Sequence, residues 1–322
     1  MKLKDYFKKQ YEKGLWSMET ITLIYMLFTT ILIGIHWQGL ADPQGMVLTR
    51  VLMLALMGVM YGAYRLYPCR ALRIARVIPL LLGLIFWYPE TYDFCSQYPY
   101  LDHVFAEIDQ TLFGCQPALL FNKALSSTFW SEAFNMGYYA YYYMMGATIL
   151  FYLFGRYNQA DKAGFVFLAS FFLFYIIYEF LPVAGPQYYF KAVGVEAACT
   201  GDFPAVGYYF QNHTEMLTPE IKGIFSKLVI GAQEVGERPT AAFPSSHVGM
   251  STVTMMLAWK TRNRWLFWVM FPVYLLLCCA TVYILAHYLI DSICGFFTAI
   301  LFFCFTSWLY DKLHPGYNTE RD

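Results

Sequence analysis

The chain has 322 residues, of which 58% are hydrophobic and 14% are charged, and its formal net charge is zero. A soluble globular domain carries more charge, so this composition excludes an ordinary soluble protein and indicates segments that span a bilayer. The balanced charge, with no basic patch interleaved with aromatic residues, gives no indication of a nucleic-acid partner.

Long apolar blocks predict an all-α, polytopic membrane bundle of about eight transmembrane helices. In chain order the blocks are 19–36, 47–66, 74–88, 134–154, 164–184, 244–260, 265–284 and 287–310. The third block is short, so we expect it to be tilted or partly interfacial. The polar stretch before the first block lacks the pattern of a cleavable signal, and we interpret it as a cytoplasmic lead-in.

Basic residues fall in alternate loops, which predicts one orientation in the membrane. They are Lys2, Lys4, Lys8, Lys9, Lys13, Arg65, Arg70, Arg73, Arg76, Arg156, Lys162, Lys260, Arg262 and Arg264. Because cytoplasmic loops carry the excess of lysine and arginine, both termini are predicted to be cytoplasmic. The opposite side then holds two long segments, 89–133 and 185–243. The first contains LDHVFAEIDQTLFG, whose apolar spacing predicts an amphipathic helix on the membrane surface.

The cysteines and tyrosines give weaker indications. Cys95, Cys115 and Cys199 fall in predicted outer loops, where two of them could form a disulfide, although no paired spacing points to one. The tyrosine-rich run 138–143 fits an interfacial aromatic belt better than a wall that binds a headgroup.

Three ionisable residues stand at the outer ends of predicted spans, where such groups are costly to insert and are therefore functional candidates. His247 closes FPSSH at the start of the sixth span, and His287 and Asp291 lie in AHYLIDSICG at the start of the eighth. Residues four apart share a helix face, so the carboxylate can orient and charge-stabilise the imidazole. The orientation derived from basic residues places both histidines at the same membrane face, which predicts one shared site.

This set of residues predicts phosphoryl transfer that needs no cofactor. An imidazole beside a carboxylate is a nucleophile or a general base, and a second imidazole can protonate a leaving oxygen. Ser245 and Ser246 open a span whose N-terminal N–H groups can hold an anion, and Arg238 upstream can add a cation. A structural His–Asp pair, a zinc site that includes His247 and a merely solvated Arg238 remain alternatives.

The two histidine motifs resemble the second and third signature motifs of the type 2 phosphatidic-acid phosphatase superfamily. The resemblance implies a six-helix phosphatase-like core in which His287 attacks phosphorus and forms a phosphohistidine, assisted by Asp291. It further implies that His247 protonates the leaving group and that Ser245 and Ser246 contact the phosphate.

The chain also departs from that family pattern. The lysine and arginine of the usual first motif fall on Tyr178 and Gly185, and the arginine of the third motif falls on Thr281. A phosphate site short of cations resembles the branch that contains fungal inositol phosphorylceramide synthase and its bacterial relatives. DQTLFG, the tyrosine-rich fourth span and the Gly-Pro segment after the fifth span share this likeness, which covers about 95–300.

Three further residues are candidates for binding the phosphate or headgroup. Arg238 could replace a missing cation, and Gln187 and Tyr188 follow the Gly-Pro segment, where a structural turn is the alternative. With these, the resemblance implies N-terminal transmembrane helices over 1–90, a catalytic membrane domain over 91–310 and a cytoplasmic tail over 311–322.

The resemblance implies an integral membrane lipid phosphotransferase. It would move an inositol-phosphate-like headgroup from a phospholipid to a ceramide-like lipid, in a bacterial inner membrane with the site facing the periplasm, or an equivalent lumen. The alternative is a lipid phosphate phosphatase that hydrolyses phosphatidic acid or a polyprenyl or sphingoid phosphate. A transporter or a non-catalytic lipid-binding protein is a further alternative, and the sequence gives no oligomeric state.

Overall fold

The computed structural model describes residues 3–9, 14–220 and 222–315, and these residues form helices without a strand. The helices are α1 (Leu3–Tyr6), α2 (Ser17–His36), α3 (Pro43–Leu66), α4 (Arg70–Ala75), α5 (Val77–Cys95), α6 (Asp102–Phe113), α7 (Pro117–Ala124), α8 (Thr128–Tyr139), α9 (Tyr141–Gly155), α10 (Tyr157–Phe180), α11 (Pro186–Val193), α12 (Val195–Thr200), α13 (Ile224–Gly236), α14 (Ser246–Lys260), α15 (Arg264–Tyr283) and α16 (Leu289–Leu313). A short 3₁₀ turn covers Tyr209–Gln211. The prediction of an all-helical chain is therefore confirmed.

Within the described ranges, six helical segments are long and apolar enough to cross a membrane. They are Ser17–His36, Pro43–Leu66, Arg70–Cys95, Tyr157–Phe180, Arg264–Tyr283 and Leu289–Leu313. These correspond to the first, second, third, fifth, seventh and eighth predicted blocks. The protein is therefore a polytopic helical membrane protein.

The two remaining predicted blocks form shorter helices. The fourth block is divided at Ala140 into α8 and the 15-residue α9, and the sixth block is α14, also with 15 residues. A helix needs about 20 residues to cross the hydrocarbon core, so neither α9 nor α14 reaches the full length alone. The structure thus supports six full-length spans, fewer than the eight predicted, with two shorter helical segments at the other positions.

The third span is longer than predicted because Glu90, an acidic residue that would end it, is paired with an arginine. We expected residues 74–88, whereas the helical segment continues to Cys95 and contains Glu90. Arg50 of α3 reaches this carboxylate with two hydrogen bonds, of 2.9 and 2.7 Å. A buried charge that is paired costs far less than a single one, so the span continues past the acid.

Basic loops gather at one end of the bundle. Lys162 pairs with Asp311 at 2.6 Å, and Arg156 donates to the carbonyl of Thr261. Arg76 forms an ion pair with Glu19 at the same end. The motifs that contain His247 and His287 lie at the opposite end, as the charge pattern predicts. Lys2, Lys13 and residues 316–322 of the predicted tail lie outside the described residues.

Helix α6 forms where the LDHVFAEIDQTLFG pattern predicts a helix. Its acidic residues Asp102 and Asp109 are fully buried, whereas Leu112 is exposed. The two acids are seven residues apart, two helical turns, and so point into the protein from one face. This inward acidic face was not anticipated from the sequence.

All eight cysteines lie in the part of the chain that the structure describes, and all are free thiols. Cys95 is buried in α5, where its sulfur contacts the hydroxyl of Thr240 at 3.2 Å. The disulfide considered among Cys95, Cys115 and Cys199 is therefore not formed in this structure.

Candidate active site

The loop before α14 and the loop before α16 meet and bring the two histidine motifs together. The backbone N–H of Ser245 donates to the carbonyl of Asp291 at 3.0 Å. Gly295, one turn further along α16, permits this approach, because a Cβ there would lie 2.4 Å from the Ser245 carbonyl oxygen. A larger residue at this position would force the two motifs apart.

His287 is held in one tautomer by the backbone. Its Nδ1 lies 2.8 Å from the carbonyl oxygen of Ala242, which can only accept, so Nδ1 carries the proton. Nε2 therefore bears the free lone pair. Burial lowers the pKa of His287 to about 4, although the bond to Ala242 acts in the opposite direction. The imidazole is thus neutral at neutral pH and presents Nε2 as a nucleophilic nitrogen.

Asp291 lies beside His287 without a direct hydrogen bond to it. Its Oδ2 is 3.8 Å from His287 Nδ1, beyond hydrogen-bond length, and accepts from the backbone N–H of Tyr288 at 2.9 Å. Its Oδ1 is buried and has no partner among the described atoms. A carboxylate so placed can stabilise positive charge that develops on the imidazole ring.

His247 lies on the other side of His287. Its Nδ1 is 3.5 Å from His287 Nε2. Its ring stacks on Tyr138, with centroids 4.6 Å apart, and contacts the tilted ring of Tyr141 at 4.7 Å. The aromatic pair packs the ring of His247 against His287, a contact that the interpretation of the tyrosine run as an interfacial belt did not anticipate. Tyr138 and Tyr141 belong to the site, while Tyr142 is exposed as a belt residue would be.

A narrow polar cavity is lined in part by the two histidines. Its lining residues are Tyr88, Tyr138, Ala184, Gln187, Glu237, Thr240, Ala241, Ala242, Ser246, His247, Ala286 and His287. Its volume of about 10 Å³ is near the minimum for one water molecule. A phosphorus atom with its oxygens cannot fit between nitrogens 3.5 Å apart, so a substrate phosphate enters only when lining side chains move.

The other candidates from the sequence are divided between the cavity and its surroundings. Ser246 and Gln187 line the cavity, whereas Ser245 caps α14 by accepting from the N–H of Val248 at 3.3 Å. Tyr188 packs instead in a separate cluster that includes Phe210.

Arg238 does not line the cavity either. Its guanidinium donates to the backbone carbonyl of Glu237 at 2.8 Å, and Arg238 is not among the residues that line the cavity.

The three positions where the resemblance leads one to expect cations have structural roles. The hydroxyl of Tyr178 donates to the carbonyl of Pro244 at 2.6 Å, and the hydroxyls of Thr281 and Ser292 lie 2.9 Å apart. Gly185 has a φ of +100°, and a Cβ there would lie 2.8 Å from the Ala286 carbonyl oxygen. An arginine would be strained at this position, so the local backbone explains the departure.

Helix α6 supports the loop before α11 and the start of α16. Asp102 accepts from the N–H groups of Ala184 and Gly185 at 2.9 and 2.7 Å. Asp109 accepts from the N–H groups of Leu289 and Ile290, at the start of α16, at 2.9 and 3.0 Å. Burial raises the pKa of Asp102 to about 7, while these N–H groups counteract the rise. The acids satisfy backbone donors that the loops and the helix start leave without partners.

Glu237 is a cavity residue that the sequence interpretation missed. Its two carboxylate oxygens accept from the hydroxyls of Tyr88 at 3.1 Å and Tyr138 at 3.4 Å. Burial raises the pKa of this carboxyl, against the effect of the tyrosines and of Arg238. It stands next to Arg238 in the sequence, but no motif marks it, and only the fold brings it to the histidines.

An apolar groove of about 890 Å³ opens on the outside of the bundle beside the site. Residues of α7, α15 and α16 line the groove, and Val248, Leu289 and Ser292 form part of its wall. These residues are direct chain neighbours or near neighbours of His247 and Asp291. Part of the wall of the groove is therefore built by the same helix starts that carry the histidine motifs, and the lining of the groove is almost entirely apolar.

A family model described as the PAP2 superfamily matches residues 103–305, which include both histidine motifs, α6 from its second residue onward and the cavity-lining part of α8. No curated protein and no solved structure matches the chain. In the described ranges, no group of three or more His, Cys, Asp or Glu residues is placed to hold a metal ion.

Proposed function

The chain belongs to the PAP2 superfamily, and from this premise we propose that it is a membrane lipid phosphotransferase. The family makes lipid phosphatase or phosphotransferase chemistry the general expectation. The observation that carries the proposal is the free Nε2 lone pair of His287, 3.5 Å from His247, with Asp291 beside the same ring.

The proposed reaction has two steps. His287 Nε2 attacks the phosphorus of a phospholipid, the bond from phosphorus to the diacylglycerol oxygen breaks, and His247, which enters this step as the imidazolium, gives that oxygen a proton. The hydroxyl oxygen of a ceramide-like acceptor then attacks phosphorus, the N–P bond breaks, and the acceptor proton passes to His247. Asp291 stabilises the positive imidazole in between. No metal or organic cofactor enters either step.

The groove supports a lipid as substrate. Its volume is about 890 Å³ and its lining is apolar, as acyl chains require, whereas the polar cavity has a volume of about 10 Å³. In this proposal the chains occupy the groove and the phosphate enters the cavity, with Ser246 and Gln187 as contacts. The site would face the periplasm of a bacterial inner membrane or an equivalent lumen, because the basic loops lie at the other end.

The scarcity of cations supports transfer of a diester headgroup. A monoester such as phosphatidic acid carries close to two negative charges at neutral pH, whereas a phosphodiester carries one. Tyr178, Gly185 and Thr281 stand where cations are expected, and Arg238 does not line the cavity. We therefore propose an inositol-phosphate-like headgroup as the transferred group, as the likeness to the inositol phosphorylceramide synthase branch implies.

A product assay tests this function. Purified enzyme in liposomes receives phosphatidylinositol, phosphatidic acid and ceramide, and mass spectrometry follows the products. We expect a phosphorylceramide species from wild type and from His213→Ala, a control at an exposed histidine, but none from His287→Ala. Free phosphate from phosphatidic acid alone would make the protein a phosphatase. Equal products from wild type and His287→Ala would contradict the role of His287.

A further inference from the structure

The cavity contains an acid where a phosphate site would be expected to contain a base. Glu237 lines it together with both histidines, and among the described residues no lysine or arginine forms an ion pair with its carboxylate. A carboxylate repels a phosphate dianion, and this repulsion is strong in a poorly solvated cavity. Glu237 is therefore unsuited to binding the phosphate and needs another explanation.

The Glu237 carboxylate accepts hydrogen bonds from two tyrosine hydroxyls in the cavity wall. One oxygen accepts from Tyr88 and the other from Tyr138. An ionised carboxylate can accept about four hydrogen bonds, so capacity remains after these two. Gln187 also lines the cavity, and its Oε1 accepts from Gln233 at 3.2 Å, which leaves its amide nitrogen to donate. The two side chains offer an acceptor and a donor, the pair that a hydroxyl group requires.

The bond between Tyr138 and Glu237 is the weaker of the two. At 3.4 Å it is longer than the Tyr88 bond, and Tyr138 is also the residue that covers His247. The cavity must widen before a phosphate can enter, and movement of Tyr138 would widen it. Such movement removes one donor from the carboxylate, and a hydroxyl of the entering substrate can replace it. The exchange keeps the hydrogen-bonding capacity of the carboxylate satisfied.

We propose that Glu237 is a specificity residue that recognises a hydroxyl group carried by the substrate next to the transferred phosphate. This inference rests on the proposed function and narrows its substrate class to phosphodiesters that carry alcohol groups. Two sources could supply the hydroxyl, a polyol headgroup on the donor lipid or the acceptor alcohol. The same carboxylate disfavours phosphate monoesters by charge.

The test compares three donor lipids with matched acyl chains. Phosphatidylinositol carries headgroup hydroxyls, phosphatidylmethanol has the same charge without them, and phosphatidic acid is the monoester. The variants are Glu237→Gln, which removes the charge at nearly constant size, and Glu234→Gln, a control at an exposed acid one turn earlier on α13. Initial rates give kcat/KM for each lipid.

For a hydroxyl on the donor, Glu237→Gln should lower the preference for phosphatidylinositol over phosphatidylmethanol about tenfold or more, since sites built around a hydroxyl discriminate strongly. Activity on phosphatidic acid should stay level or rise, and Glu234→Gln should change neither ratio. For a hydroxyl on the acceptor, single-turnover consumption of donor should be unchanged while the ratio of lipid transfer to hydrolysis falls. Either pattern supports the hydroxyl site.

A uniform loss of kcat/KM on all three lipids, with unchanged ratios and unchanged partition between transfer and hydrolysis, would overturn the proposal. That outcome would leave Glu237 only the role of positioning Tyr138. The proposal would equally be overturned if Glu237→Gln kept full activity, the wild-type ratios of kcat/KM between the three lipids and the wild-type partition between transfer and hydrolysis. Failure of the proposed function is distinguishable, because wild type itself would then act on phosphatidic acid alone or on none of the three lipids.

Discussion

At His287 a single backbone contact decides which nitrogen can react. Because Nδ1 donates to the carbonyl of Ala242, Nε2 is the nitrogen that faces His247. The sequence predicts that the two histidines and Asp291 share a site, but it does not predict the tautomer. That depends on Ala242, which reaches the ring only through the loop before α14.

The lowered pKa of His287 predicts a pH dependence of stability. The folded pKa is about 4 against an ordinary 6.5, so between these values the unfolded chain binds a proton that the folded chain does not. The free energy of unfolding therefore falls as pH falls through this window, by up to about 1.4 kcal/mol per pH unit for this group. Thermal unfolding in detergent at several pH values should show less loss for His287→Asn than for wild type. Equal losses would contradict the assigned pKa shift.

Tyr138 should act mainly through its ring. Tyr138→Phe keeps the stack on His247 and should leave kcat/KM within a few-fold of wild type, whereas Tyr138→Ala should lower it about tenfold, the upper range for such aromatic contacts. Lipid turnover in mixed micelles measures both. Tyr142→Ala, at an exposed neighbour, is the control. Equal effects of Tyr138→Ala and Tyr142→Ala would exclude a role for the stack.

At the scale of elements, α6 is the support that aligns α16. Asp109 holds the first N–H groups of α16, two residues before Asp291, and Asp102 holds the loop before α11. Apolar periodicity predicts this helix, but it assigns its charged residues to the surface. The backbone N–H groups that donate to these two aspartates belong to segments far away in the chain, so the local sequence cannot show the pairing.

Removal of this support should destabilise the protein and misalign the site. Asp109→Ala leaves two N–H groups at the start of α16 without acceptors, and we expect a cost of about 2 kcal/mol. Asp109→Asn, which keeps one acceptor oxygen, should cost less, and Glu107→Ala on the exposed side of α6 should cost almost nothing. Thermal unfolding in detergent measures the stability loss of each variant and so ranks the three. A loss for Glu107→Ala as large as that for Asp109→Ala would contradict the assignment.

For the whole molecule, the charge pattern and the hydropathy predict the orientation and the order of the helices better than they predict the length of each helix. The alternating basic loops place both histidines at one end, and the structure has them there. Six of the eight apolar blocks form full-length helices, but α9 and α14 are short. Hydropathy detects apolar composition, whereas the break at Ala140 and the start of α14 at Ser246 depend on packing around the site.

The orientation of the bundle can be tested at Cys199. This thiol is exposed on α12, in the segment that the charge pattern places outside. In sealed vesicles with the cytoplasmic face inside, a membrane-impermeant maleimide should label Cys199 but not a cysteine introduced as Lys312→Cys in a Cys199→Ser background. Lys312 is exposed at the basic end of α16. The reverse labelling pattern would contradict the orientation.

The most direct test of the central claim is to trap the transferred group on His287. Enzyme mixed with phosphatidylinositol without acceptor is quenched in alkali, which preserves a phosphorus–nitrogen bond, and its peptides are analysed by mass spectrometry. We predict that the inositol phosphate group appears on the peptide containing His287, that it is absent from His287→Ala, and that added ceramide removes it. Headgroup release with the adduct on another residue, or release with no adduct at any time within a single turnover, would contradict the account.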